Sequence, residues 1–286
     1  MIEVRYNGRL GNQLFQYCMG RILAEGLGYE LNAKPIEGFP NTQKPVKGKN
    51  YSYYFRRHMY GHDVDLKSIL ADKSKRNIVL TGYFQNYSYY KPHKTVIKRH
   101  WLKTNNPFKR TNKNDIVVHV RRTDCMHVGF GLPFSYYEDA LETASYRRVF
   151  ICTDDPQSRF LQNFKKYRPI IRHSTALNDF HFIMSFNKII QSQSSYSWWA
   201  SFLSKAKEIY TPVPLSGYWS RENGEKLKID EERYVYINCR EKYRISLKDE
   251  IKSLRYTLPI PENVKKYLRP VVKPVLERTR FIRKYL

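Results

Sequence analysis

No stretch of about 18 consecutive apolar residues occurs in this chain, so no helix spanning a bilayer is expected. Cysteine is scarce, with four in 286 residues. Cys18, Cys125, Cys152 and Cys239 form no C-x-x-C pair and have no histidine at a zinc-finger interval, which excludes the common zinc motifs. A disulfide framework is not expected at this density, and buried thiols are the simpler reading, most clearly for Cys152. No block of five like charges appears, which argues against a flexible nucleic-acid-binding arm. The opening residues Met1-Ile2-Glu3-Val4-Arg5 lack the basic-then-apolar pattern of a secretory leader, so a cytoplasmic protein is expected.

Negative charge is the main shortage. There are 51 Lys and Arg against 26 Asp and Glu, a formal net charge of +25. Such a surface attracts polyanions, whether nucleic acid, anionic lipid or phosphorylated small molecules. Residues 241–286 hold 13 Lys and Arg against 5 Asp and Glu, interleaved with apolar residues and broken by Pro270 and Pro274. This basic amphipathic extension either lies on an anionic membrane surface or packs across the fold.

The rest of the chain reads as alternating strands and helices. Ile2–Tyr6 alternates as a strand, a glycine turn follows, and Leu14, Phe15, Cys18, Ile22 and Leu23 recur at helical spacing. Residues 77–84 make a second strand, and Tyr89–Trp101 a helix opened by Lys91-Pro92. Residues 103–114 are polar and aperiodic, the best linker candidate. Buried strands are then expected at 115–120, 148–153, 169–171, 188–190 and 208–210, with helices at 134–145, 157–166, 179–186 and 197–203. This spacing predicts an α/β protein with parallel sheets. The expected domains are 1–110, 111–240 and the extension 241–286.

Four segments carry candidate chemistry. Gly8-Arg9-Leu10-Gly11-Asn12-Gln13-Leu14-Phe15-Gln16 is a glycine turn before a helix, where exposed N–H groups and the helix dipole suit a diphosphate. It is neither a Walker nor a dinucleotide motif, and a purely geometric turn is the alternative. His119-Val120-Arg121-Arg122-Thr123-Asp124 puts two arginines and an acid at the end of a buried strand. One arginine fork can clamp a diphosphate while the other pairs with Asp124. A surface ion-pair cluster is the alternative, and for His119 a satisfied core histidine. Thr153-Asp154-Asp155-Pro156 tempts a metal assignment, but Asp155-Pro156 reads better as a helix start, with Asp154 ending the strand, and no metal is assigned. Ser192-Gln193-Ser194-Ser195-Tyr196-Ser197-Trp198-Trp199 offers hydroxyls at a helix N-terminus, a second anion cradle or simply a cap over tryptophan packing.

Together and in this order, these motifs resemble the α-1,2-fucosyltransferase family, glycosyltransferase family 11, which shares its core with the α-1,6- and protein O-fucosyltransferases. Thr81-Gly82-Tyr83-Phe84-Gln85 adds to the likeness, which covers roughly residues 2–212. The resemblance implies a GT-B architecture: two Rossmann-like halves with the site in the cleft between them, the first mainly for acceptor and the second for GDP-fucose. It implies an inverting transfer of fucose to a glycan hydroxyl, α-1,2 to galactose, without metal or other cofactor. Carried over by position, Gly8, Gly11 and Asn12 line the diphosphate loop. His119 contacts the nucleotide, and Arg121 stabilises the leaving β-phosphate. Arg122 and Asp124 shape the same site, Asp179 meets guanine, and Ser194 and Ser195 hold phosphate oxygens.

The sequence departs from the family pattern at Arg9 and at Thr123, the latter matching the α-1,6 type. Asp124 and His127 are both candidates for the base, and residues 213–286 have no family counterpart. The expected partners are GDP-fucose and a glycan acceptor, a lipid-linked one being reasonable at the cytosolic membrane face, with peripheral membrane contact through the basic extension and no nucleic acid. The alternatives are an α-1,6-type enzyme, a GT-B transferase with another deoxyhexose donor, and a non-catalytic basic protein that binds nucleic acid or glycan.

Overall fold

The computed structural model describes residues 1–51, 56–59, 64–72, 74–123, 126, 131–213 and 225–239. Among the described residues, ten strands fall into two sheets. The first contains β1 (Ile2–Val4), β2 (Leu31–Asn32), β3 (Arg56–Met59) and β4 (Asn77–Leu80), in the order β2-β1-β4-β3. The second contains β5 (Asp115–Val120), β6 (Arg148–Thr153), β7 (Ile170–Arg172), β8 (Lys188–Ile190), β9 (Glu208–Val213) and β10 (Tyr234–Asn238), in the order β10-β9-β8-β5-β6-β7. Every pairing between these strands is parallel. Parallel strands need crossovers that cover both faces, which explains why every residue of β5 is buried.

Helix α1 (Leu10–Leu27) follows β1 and packs so closely on the first sheet that a Cβ at Gly20 would sit 2.5 Å from Val4. Helices α2 (Leu66–Ala71), α3 (Tyr87–Tyr90) and α4 (Lys94–Val96) precede β5 in the chain. Helices α5 (Phe134–Thr143), α6 (Ala176–Met184) and α7 (Ser195–Leu203) alternate with the strands of the second sheet. One apolar cluster runs from Ile2, Phe15 and Leu80 to Phe180, Trp198 and Trp199, so α1 and α7 join the two sheets through a shared core. Phe15 anchors it, with its ring centroid 4.8 Å from both Trp198 and Trp199. A second cluster, including Val118, Tyr136, Leu141 and Phe164, fills the opposite face of the larger sheet.

The expected α/β pattern holds, with several local differences. The helix read at Tyr89–Trp101 starts earlier, where the Asn86 side chain accepts from the N–H of Ser88. Pro92 then lies inside a 3₁₀ turn, Lys91–His93, because proline cannot donate to an α-helical ladder. The run ends in a π turn, Ile97–Trp101. Asp155-Pro156 does not open a helix. Asp155 forms a turn, and a 3₁₀ helix begins later, at Arg159. Strands β2, β3 and β10 were not anticipated. The 103–114 segment is fastened rather than loose: Thr104 Oγ1 donates to the Gly38 carbonyl at 2.7 Å, and the Asn106 amide donates to the His181 carbonyl at 2.8 Å. Cys18, Cys152 and Cys239 are buried free thiols. Cys125 and the extension 241–286 lie outside the described residues.

Candidate active site

The site is built where α1 and α7 begin. Gly8 turns the chain out of β1 with φ of +83°, a left-handed conformation that side chains resist. The Asn12 amide lies over it, so a Cβ at Gly8 would come within 2.3 Å of Asn12 Nδ2. Gly11 is needed for a different reason. A Cβ there would stand 2.5 Å from the backbone of Ser195 and of Tyr196. Only glycine lets the first turn of α1 touch the first turn of α7. Two helix N-termini, each a positive dipole end, therefore meet at one point.

Asn12 ties this junction together. Its Oδ1 accepts from Ser195 Oγ at 2.8 Å and from Gln85 Nε2 at 2.9 Å. Three of the sequence motifs thus converge on one carbonyl oxygen. Buried Gln16 fixes the turn from behind: its Oε1 accepts from the Asn7 N–H, and its Nε2 donates to the Gly82 carbonyl at 3.0 Å. Phe84, beside Gln85, is fully buried with φ of +52°, a rare conformation for an aromatic residue. The Tyr90 hydroxyl, donating to its carbonyl at 2.6 Å, helps hold it there. Local backbone strain of this kind gathers at functional sites. Ser194 caps α7 by accepting from the Tyr196 N–H.

The larger sheet adds its carboxyl edge. His119, near the end of β5, is buried, with Nδ1 2.7 Å from Ser192 Oγ and its ring 5.2 Å from that of Tyr196. Burial lowers its pKa to about 4, the Asp154 charge opposing and the Arg121 charge assisting. The imidazole is therefore neutral at pH 7, which suits a hydrogen-bonding partner for a ligand rather than a cation. Burial also pushes the Tyr196 hydroxyl far above its ordinary range, so it stays protonated and donates to the Ala176 carbonyl at 2.6 Å.

Asp154 organises the residues after β5, a role that reading it as a strand end missed. It faces Arg121 Nε at 3.2 Å, accepts from the Arg122 N–H at 2.7 Å, and accepts from the Thr123 hydroxyl. The pairing acid found for an arginine is thus Asp154, while Asp124 lies outside the described residues, as does His127. Arg122 is buried with its guanidinium 4.1 Å from the Phe160 ring centroid. Arg121 and Arg122 consequently differ in surroundings: one rests on a carboxylate and the other on an aromatic face. Asp179 sits at the start of α6, accepting from the Ser174 N–H at 2.9 Å and facing Arg172 Nε at 3.3 Å. Tyr196 stands between α6 and His119, so Asp179 belongs to the same neighbourhood.

Gly8, Gly11, Asn12, Ser194 and Ser195 thus come together, with His119 and Arg121 along the adjoining strand edge. The sequence motifs contain Gln16, Ser192 and Asp154, but sequence reasoning missed their bracing roles. The signal for Asp154 was its place directly after a buried strand, beside the strand that carries Arg121.

The model of glycosyl transferase family 11 matches residues 45–237, so the likeness runs past residue 212, and residues 213–237, expected to have no family counterpart, do have one. The chain belongs to glycosyl transferase family 11. This family 11 member carries the His119–Thr123 and Ser192–Trp199 segments inside the matched span, and the Gly8–Gln16 turn precedes it. Membership in this fucosyltransferase family implies glycosyltransferase activity, with a nucleotide-sugar donor and a glycan acceptor. No curated protein matches this family 11 chain.

Proposed function

We propose that the protein transfers L-fucose from GDP-fucose to a hydroxyl of a glycan acceptor, by an inverting, metal-independent displacement that forms an α-1,2 linkage to galactose. The single observation that carries this reading is the meeting of two helix N-termini at Gly11 and Ser195, with Arg121 braced on Asp154 at the neighbouring strand edge. That arrangement suits a diphosphate, which binds where N–H groups and dipole ends converge. Family membership supplies the sugar. In this reading the two sheets are the halves of a GT-B arrangement, divided near residue 110, with the donor on the second.

The chemistry follows from charge. The acceptor oxygen attacks the anomeric carbon, the bond from that carbon to the β-phosphate oxygen breaks, and its electron pair leaves with GDP. Negative charge grows on the β-phosphate. Arg121 and the N–H groups opening α1 and α7 are proposed to meet it, with Ser194 and Ser195 beside them. One preorganised donor of this kind is worth about 3–4 kcal/mol of barrier. This positive end supplies what a divalent cation supplies in other transferases. His119 is assigned to the nucleotide as a neutral hydrogen-bonding partner. Asp179, braced by Arg172 and Ser174, is assigned to the guanine edge, and Arg122 to holding the strand end in place. The acceptor proton goes to a base for which Asp124 and His127 are the candidates. The acceptor glycan is proposed to be lipid-linked and reached from the cytoplasmic side.

The test is GDP release from purified protein with GDP-fucose, GDP-mannose and UDP-sugars, in EDTA, with and without a β-galactoside. Release from GDP-fucose alone, unaffected by EDTA, is the expected result. Release that needs an added divalent cation, or that favours another donor, overturns the corresponding part of the reading.

A further inference from the structure

The reaction site uses the carboxyl edge of the six-stranded sheet. Because all of its strands are parallel, their amino ends line up on the opposite edge. That edge is crowded with exposed cations. Arg110 and Lys113 lead into β5, Arg147 and Arg148 open β6, Arg168 precedes β7, and Lys205 and Lys207 lead into β9. Among the described residues, the acids there are outnumbered by these cations: Glu142 and Asp230 are exposed, and others are engaged. Asp115 is buried and taken up by Arg147 and Arg148, and Glu208 pairs with Lys188 at 2.7 Å. Glu231 pairs with Lys94 and Arg233, and Glu232 is exposed. Arg110 is held in place by donating to Asn187 Oδ1 and to the Lys205 carbonyl. None of the aromatic residues in the segments that carry these cations, Phe108, Tyr146 and Tyr167, is exposed. A positively charged edge without exposed aromatic rings lacks the stacking platform that single-stranded nucleic acid uses.

We propose that this amino edge is a docking surface for an anionic lipid bilayer. The charge is complementary to an anionic leaflet, and each cation brought close to such a leaflet strengthens binding about fivefold. Docking by this edge leaves the carboxyl edge facing away, about 20 Å from the surface for strands of this length. The catalytic edge then stays open to a glycan extending from the membrane. The surface is formed by residues other than 241–286, and it stands independently of the reaction assigned to the opposite edge.

The full chain and its Lys113→Glu/Lys205→Glu/Lys207→Glu variant test the proposal by co-sedimentation with vesicles. The probes are phosphatidylcholine vesicles with about a third phosphatidylglycerol, and pure phosphatidylcholine vesicles, at low and physiological salt. Both proteins keep residues 241–286, so their difference reports the edge alone. The wild type is expected to pellet with anionic vesicles only, more weakly as salt rises, and the variant to bind about a hundredfold less tightly. Unchanged thermal unfolding and unchanged soluble-donor turnover in the variant show that the fold is intact. Equal pelleting of the two proteins overturns the proposal, as does indifference of the wild type to anionic lipid. Tighter binding of the wild type to an RNA or DNA homopolymer than to vesicles, abolished in the same variant, assigns the edge to nucleic acid instead and also overturns it.

Discussion

The two edges of the six-stranded sheet use charge in opposite ways. At the carboxyl edge, described charged groups are largely shielded and held by named partners: Arg121 on Asp154, Arg172 on Asp179. At the amino edge they are many and exposed, and the buried carboxylate of Asp115 is shared by two arginines. Removing a charge from water makes its position costly to change, so the carboxyl edge converts charge into fixed geometry. Leaving charge in water keeps each pair weak, so the amino edge converts charge into long-range attraction. The same net excess of cations therefore serves a site in one place and a surface in the other.

This contrast predicts that substitutions at the carboxyl edge hurt far more than those at the amino edge. Arg121→Ala sharpens it most. The variant is expected to fold and to lose about 10²–10³-fold in kcat for GDP release. Steady-state kinetics beside a thermal melt separates the two effects. Gly11→Ala comes next. Its added methyl meets backbone rather than a flexible side chain, so α1 and α7 must part. A loss of about 1–3 kcal/mol in unfolding free energy is expected, accompanied by weaker GDP binding.

The pH dependence gives a smaller effect. His119 has a folded pKa of about 4, below the ordinary histidine value. Between those two values the unfolded chain binds the extra proton and the folded one does not. The stability from this group is therefore complete above about pH 6.5 and declines as pH falls toward 4. A His119→Asn variant should flatten that segment of the stability–pH curve measured by denaturant titration. Asp115 acts lower on the scale: burial opposes its ionisation, but hydrogen bonds from Arg148 and Arg147 outweigh it and lower its pKa. Its contribution is present above the ordinary carboxylate pKa and disappears as pH falls through the lowered one. The smallest effect is expected for Lys207→Ala on the amino edge, within about 0.5 kcal/mol in stability and without change in soluble-donor turnover. A large loss of turnover in that variant would break the comparison.

Much of this was legible before the structure. The buried strands at 115–120 and 148–153 were read with their observed bounds, because an unbroken apolar run in a short segment admits few other structures. The Gly8 turn, a serine cap before the tryptophan helix and the placing of Arg121 after a buried strand follow from local rules, although the helix begins at Ser195 rather than Ser197. What was not legible depends on contacts between segments distant in sequence. Asn12 reaches Ser195 across 183 positions, and nothing local marks Gly11 as the place where a second helix must pass. Asp154 looked like a strand terminus because its three partners lie on the neighbouring strand's loop. The short strands β2 and β10 escaped because pairing with a neighbour, rather than their own composition, makes them strands.

The central claim is that the junction of α1 and α7 holds a diphosphate. Asn12→Asp tests it most directly. The substitution keeps the oxygen that accepts from Ser195 and Gln85, and it puts one negative charge in the junction. GDP and guanosine are titrated calorimetrically into the wild type and the variant. The account predicts that the variant binds GDP about a hundredfold more weakly and guanosine unchanged. Equal GDP affinity in the two proteins would contradict it.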